Sequence, residues 1–172
     1  MNKEKKGLEL VRIRMIPDRT LSSSEPVSGV SDAVKILTRE FGDLDREVLM
    51  VVNLTSQLQV INANICSVGT LTYTAAHPRE IFKSAILSNA SCCLILHNHP
   101  SGNLEPSEQD LDMTRRMVSA GKILGIDVVD HVIIGANEMD YVSLREQGLM
   151  ETDALDWKEM EQAADKQPEH TL

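Results

Sequence analysis

The chain is 172 residues long, with 42% hydrophobic and 25% charged residues, the length and balance of one globular domain able to bury a proper core. The formal net charge is −9, and Leu149–Leu172, with seven acidic and two basic residues, holds −5 of it, leaving −4 for the body. Neither part offers the basic surface that sequence-independent nucleic-acid binding relies on, so a nucleic-acid partner is not expected.

No apolar run approaches the ~20 residues of a membrane helix, and no signal-peptide core follows the polar start, so a cytoplasmic protein without membrane contact is expected. The three cysteines, Cys66, Cys92 and Cys93, make neither a disulfide framework nor a CxxC pair, and are expected as buried free thiols.

In chain order, residues 1–7 are charged and expected to be a disordered start. Leu8–Ile16 alternates apolar and polar residues, with a shift of phase, and predicts a strand. Pro17–Gly29, rich in Ser, Pro and Gly, predicts a loop. A helix is expected from a Ser31 cap to Phe41, with Ala33, Val34, Ile36, Leu37 and Phe41 facing inward and Gly42 ending it.

Glu47–Leu54 is almost wholly apolar after its first residue, as in a strand buried on both faces. The turn Thr55-Ser56-Gln57 joins it to a second strand, Leu58–Val68, as an antiparallel hairpin. After a connection over Gly69–Ala76, Pro78 opens a helix to about Asn89, with Glu80 near its positive end.

The apolar run Cys92–Leu96 predicts a buried strand ending in His97-Asn98-His99. Side chains two apart on a strand share a face, so the two imidazoles stand side by side where the strand stops. Pro100, Gly102 and Pro106 force a loop, and Ser107 caps a helix to about Leu124, with Met113, Met117, Val118 and Leu124 turned inward. Asp127–Ile134 predicts a strand, Gly135–Asp140 a turn, Tyr141–Gly148 a short closing segment, and Glu151–Asp165 an acidic surface helix. Arg115, Arg116 and Lys122 form a basic strip on the helix after the loop. The fold class is α/β, a mixed sheet flanked by helices, with a body over residues 8–148 and an acidic tail over 149–172.

Asp110, on the first turn of the helix after the loop, can return toward the histidines. Two nitrogens and one carboxylate leave a fourth position open, the ligand count of a catalytic zinc site. The Ser107-x-x-Asp110 pattern is also that of a capping box, which needs no metal. His131, in an apolar strand, reads as a core histidine or as a support for the site, and His77 as a helix-start residue.

HNHPSGNLEPSEQD resembles the JAMM signature of the JAB/MPN metalloprotease family. HPREIFKSAILSNA before it and LGIDVVDHVIIG after it are similar to the RadC-like branch, over about Glu47–Gly135. Six residues separate Pro100 from Ser107, one fewer than in the eukaryotic deubiquitinating members. The helix-hairpin-helix region that precedes the domain in full-length RadC proteins is not in this sequence, and with it goes the main reason to expect a DNA-repair factor.

The resemblance implies a cytidine-deaminase-like fold and one Zn²⁺ per chain held by His97, His99 and Asp110. It also implies a Glu47 carboxylate holding the attacking water, Ser107 supporting the oxyanion, and hydrolysis of an amide or isopeptide bond in a protein or peptide. On spacing alone the base stays open among Glu47, Glu80 and Glu105. Competing readings are a catalytically silent JAB/MPN binding module, a DNA-repair-associated RadC-like protein, and an iron enzyme with a two-His-one-carboxylate triad. A nucleobase deaminase would need a Pro-Cys-x-x-Cys arm, which is missing.

Overall fold

Three helices and five strands follow one another as α1 (Val30–Phe41), β1 (Val48–Leu54), β2 (Val60–Val68), α2 (Pro78–Leu87), β3 (Cys92–Asn98), α3 (Glu108–Leu124), β4 (Asp127–Ile134) and β5 (Tyr141–Ser143). The computed structural model describes residues 10, 12–24, 26–69, 77–135 and 140–151. The strands form one sheet in the order β2-β1-β3-β4-β5. β1 is antiparallel to β2 and to β3, β3 and β4 are parallel with α3 as their crossover, and β5 closes the edge antiparallel to β4. The class is α/β with a mixed sheet, as expected.

β1 and β3 are buried at every position, because helices cover both faces of the sheet. Strand alternation divides their side chains between two cores. Met50, Val52, Leu94 and Leu96 pack with Val34, Leu37 and Phe41 of α1. Leu49, Val51, Cys93 and Ile95 pack with Ile81 and Phe82 of α2 and Met117 and Val118 of α3. His97 continues the second set, so it points to the α2/α3 side of the sheet. Burial pushes the Cys66 and Cys92 thiols up to about 11 and raises that of Cys93 further, which keeps all three protonated at neutral pH.

Several expectations are corrected. Leu10 and Arg12–Ile16, the described part of the expected first strand, lie in no strand, and Leu10 is 99% exposed. The alternation changes phase between Leu10 and Ile13, so no single register would bury both halves. α1 begins before Ser31. Its cap is Gly29, and the Asp32 carboxylate accepts from the backbone N–H of Ser28 (2.9 Å) and of Gly29 (3.4 Å). Leu124, expected to turn inward, is the last residue of α3 and is 46% exposed, whereas Met117 and Val118 are buried.

Met150, two residues beyond the boundary set at Gly148, is buried in the α2/α3 core, so the packed body reaches at least that far. The start over 1–7, residues 70–76 of the connection expected over Gly69–Ala76, residues 136–139 of the expected turn and the acidic helix expected at Glu151–Asp165, beyond its first residue, lie outside the described residues. None of the described helices is long and apolar enough to cross a membrane.

Candidate metal centre

The site lies at the C-terminal end of β3, where it and its parallel neighbour β4 run out. In open α/β sheets, ligands gather at such strand ends. His97 is the sixth residue of β3 and His99 the first beyond it. The loop that follows is tied to itself: Gly102 N–H donates to His99 O (2.9 Å), and Gly102 takes φ +73°, a conformation few side chains tolerate. Asn103 then turns its carbonyl back onto the His99 ring.

α3 starts with Ser107 as N-cap, and Asp110 at its third position faces the histidines. His97 Nε2 lies 2.9 Å from His99 Nε2 and 3.2 Å from Asp110 Oδ1, and His99 Nε2 lies 3.4 Å from Asp110 Oδ2. Zinc–ligand distances of about 2.0 Å in a tetrahedron require edges of about 3.3 Å between donors. The separations are close to that edge, with the two histidines each nearest a different Asp110 oxygen, and the three residues form a group able to hold a metal ion.

The tautomers follow from which partners can donate. Asn103 O can only accept, so at 2.5 Å it takes the Nδ1–H of His99 and leaves Nε2 with its lone pair. Thr114 Oγ1 donates its one proton to Asp110 O at 2.6 Å, so its 2.6 Å contact with His131 Nδ1 must be donated by that ring. His131 Nε2 is then an acceptor and takes the Nδ1–H of His97 at 2.8 Å. His97 Nε2 is thereby left bare as well. Two lone pairs facing each other at 2.9 Å require a cation or a proton between them.

Without a metal, protons at these nitrogens take that place and also reach Asp110. Burial pushes the Asp110 carboxyl up, but hydrogen bonds with His97 and His99 outweigh it and hold the group far below the usual carboxylate range. The Asp110 bond is also the main reason His99 is raised, against a desolvation that lowers it. His131 is fully buried, and burial followed by charge at His97 lowers it well below the ordinary imidazole value, so it stays neutral. A neutral His131 is what the hydrogen-bond chain requires.

His131 thus supports the site, one of the two readings open to it. It is itself set by buried Asp130, whose carboxylate accepts from His131 N–H (2.7 Å) and Ser143 Oγ–H (2.6 Å). Thr114 was not singled out from the sequence. Its signal is there to read: it lies four residues after Asp110 and so on the same helical face. Thr114→Val keeps the shape and removes the hydroxyl that fixes His131. The expected result is a ~10- to 100-fold loss of metal affinity in a chelator competition, the range for supports of this kind; unchanged affinity would show that the chain does not set the tautomer.

Ser107 N–H donates to Asp110 Oδ2 (2.7 Å) and Asp110 N–H to Ser107 Oγ (3.2 Å), a complete capping box, and the Ser107 hydroxyl also donates to Asp110 Oδ2 (2.5 Å). Its hydroxyl proton faces the carboxylate, and contact with an oxyanion needs that proton to turn. Glu47 immediately precedes β1. Extending the Leu49↔His97 pairing by two residues sets Glu47 opposite His99, on the face shared by Leu49 and His97. Its negative charge contributes to raising His99.

Its two rivals sit elsewhere. Glu80 pairs with Lys83 Nζ at 2.7 Å on the surface of α2. Exposed Glu105 lines a groove of about 560 Å³ with Leu104, Leu111, Val142 and Leu149. His77 is the N-cap of α2, its Nδ1 accepting from Arg79 N–H. In the basic strip, Arg115 pairs with Asp112.

Residues 27–149 match the family model of the RadC-like JAB domain. A UPF0758 protein of Desulfitobacterium hafniense is 42% identical over 149 residues, 84% of this chain and 65% of the relative. Similar proteins of the same name occur in Rubrobacter xylanophilus (44% identical, 72% of this chain, 53% of the relative) and Moorella thermoacetica (44%, 69% and 51%). The chain spans between about half and two thirds of these relatives, and their shared name states no activity. The chain belongs to the RadC-like JAB domain family.

Proposed function

We propose that this RadC-like JAB domain is a zinc-dependent hydrolase of amide or isopeptide bonds, acting on a protein or peptide in the cytoplasm. The observation that carries the reading is the triangle of His97 Nε2, His99 Nε2 and Asp110, with edges of 2.9 to 3.4 Å and both imidazole lone pairs turned inward. A zinc ion held there would lower the pKa of a water to about 7 and polarise the carbonyl under attack.

The remaining steps fall to the chain's own groups. Glu47 orients the water and takes its proton as the oxygen bonds to the carbonyl carbon. Glu47 then delivers that proton to the amide nitrogen, the C–N bond breaks, and a carboxylic acid and an amine leave, the acid giving its remaining proton to solvent. Ser107, turning from Asp110, supports the oxyanion while it exists. The family resemblance assigns Glu47 and Ser107 these roles, and the register of β1 against β3 supports the first.

The reading is tested with zinc-loaded protein and a cytoplasmic protein digest in H₂¹⁸O, read by mass spectrometry. New carboxylates carrying ¹⁸O that vanish with a chelator are expected. No ¹⁸O incorporation, together with chelator-insensitive retention of an intact polypeptide, would favour the catalytically silent binding module.

A further inference from the structure

Asn98 stands between the two histidines in sequence, yet its side chain takes no part in their triangle. It is fully buried and lies opposite Val48 in the extended pairing of β3 with β1. There its carboxamide takes over hydrogen bonds of the sheet. Oδ1 accepts from Val48 N–H at 2.7 Å, and Nδ2 donates to Arg46 O at 3.1 Å. These are the peptide groups on either side of Glu47. On the opposite edge, Gly69 N–H donates to Glu47 O at 2.8 Å. The main chain at Glu47 is therefore held from β2 by a backbone bond and from β3 by one side chain.

Asp45 and Arg46 are exposed, and the Arg46 side chain bonds its neighbour Asp45. Glu47 is the residue just outside β1, where a strand ordinarily frays. An acceptor and a donor on one short planar group are needed to bridge these two peptides. Asp has no donor, Ser cannot span both, and Gln carries its amide one carbon further.

We propose that Asn98 is a positioning residue for Glu47, clipping the peptides on both sides of it so that its carboxylate is presented to the face of His97 and His99. This rests on the general-base role proposed for Glu47 and adds what holds that residue in place.

The test uses the full chain with ¹³C-labelled glutamate carboxyls and Mn²⁺ as a paramagnetic probe at the metal centre. The Glu47 resonance is identified by its loss in Glu47→Gln. In the unaltered protein Mn²⁺ should broaden it strongly. In Asn98→Leu, which keeps the branched side-chain skeleton and removes both bonds, Mn²⁺ should bind at the same stoichiometry. The broadening of Glu47 should then fall several-fold, while that of Glu108, beside the site on α3, stays as it was. A purely structural role would lower the melting temperature without separating Glu47 from Glu108.

Unchanged broadening of Glu47 in Asn98→Leu would overturn the inference, and so would loss of Mn²⁺ binding, which would place the action of Asn98 on the ligands. A Glu47 resonance that Mn²⁺ leaves sharp in the unaltered protein would instead overturn the general-base role itself. Should Asn98→Leu fail to fold, Asn98→Ser, which cannot bridge both peptides, is read in the same way.

Discussion

Replacing Glu47 by Gln is expected to lower hydrolysis by ~10²- to 10⁴-fold while leaving about one zinc per chain, because the amide keeps the size of the carboxylate but cannot take a proton. The separation of the two readouts follows from the geometry. Glu47, which falls opposite His99 when the β1–β3 register is extended by two residues, is not one of the three residues of the group. The loss should fall on kcat more than on KM, as for a group that acts in the transition state. Glu105→Gln should be nearly silent, since Glu105 is exposed and lines the groove of Leu104 and Leu111. An inactive Glu105→Gln beside an active Glu47→Gln would transfer the base to the loop. Loss of zinc in Glu47→Gln would make Glu47 part of the metal shell.

The second large effect concerns the metal. His97→Ala and Asp110→Ala should each abolish stoichiometric zinc, read by metal analysis after dialysis, because two donors do not close a site built for three. Iron at full occupancy with no zinc, after handling free of added metal, would favour the oxygenase triad instead.

Acid should act in the same direction. Asp110 raises the pKa of His99, so protons compete for Nε2 from a higher pH than at an ordinary imidazole. Zinc affinity should be steady above that raised value and weaken progressively as the pH falls below it. The metal-free protein behaves otherwise with respect to His99 alone. A raised imidazole gives stability that is present at low pH and lost as the pH rises through its folded value. Removing zinc should therefore change the pH dependence of stability as well as its size.

Asp110→Ala also removes an acceptor for the Ser107 N–H and hydroxyl, so part of the α3 cap goes with it. The cap is worth ~1 kcal/mol, small beside the loss of a metal. Asp110→Asn can still accept from Ser107 and separates the two effects. It should restore most of the melting temperature and little of the zinc.

Much of this architecture is legible in the sequence because it depends on local rules. Continuous apolar runs mark β1 and β3 as strands covered on both faces. Ser107 marks the start of α3, and spacing by two places His97 and His99 on one side of the chain. The long motif around them was enough to point to the family. Those signals are carried by neighbouring residues and survive without knowledge of the fold.

The failures are equally physical. The alternation at Leu8–Ile16 is a strand signal, but a strand forms only where a sheet edge and one continuous buried face are on offer, and the described part of this segment has neither. The choice among Glu47, Glu80 and Glu105 could not be made from spacing. Glu47 and His99 are 52 positions apart, and only the antiparallel register of β1 on β3, extended by two residues, sets them opposite. The same register makes Asn98 a clasp around Glu47. The crossover through α3 lets Thr114 and His131 meet behind His97 and fix its tautomer. The sequence by itself determined the donors and the elements that carry them. Their protonation, their support and the register that sets the start of β1 beside the end of β3 were decided by strand pairing and helix packing, because contacts between residues far apart in the chain exist only once the sheet has formed.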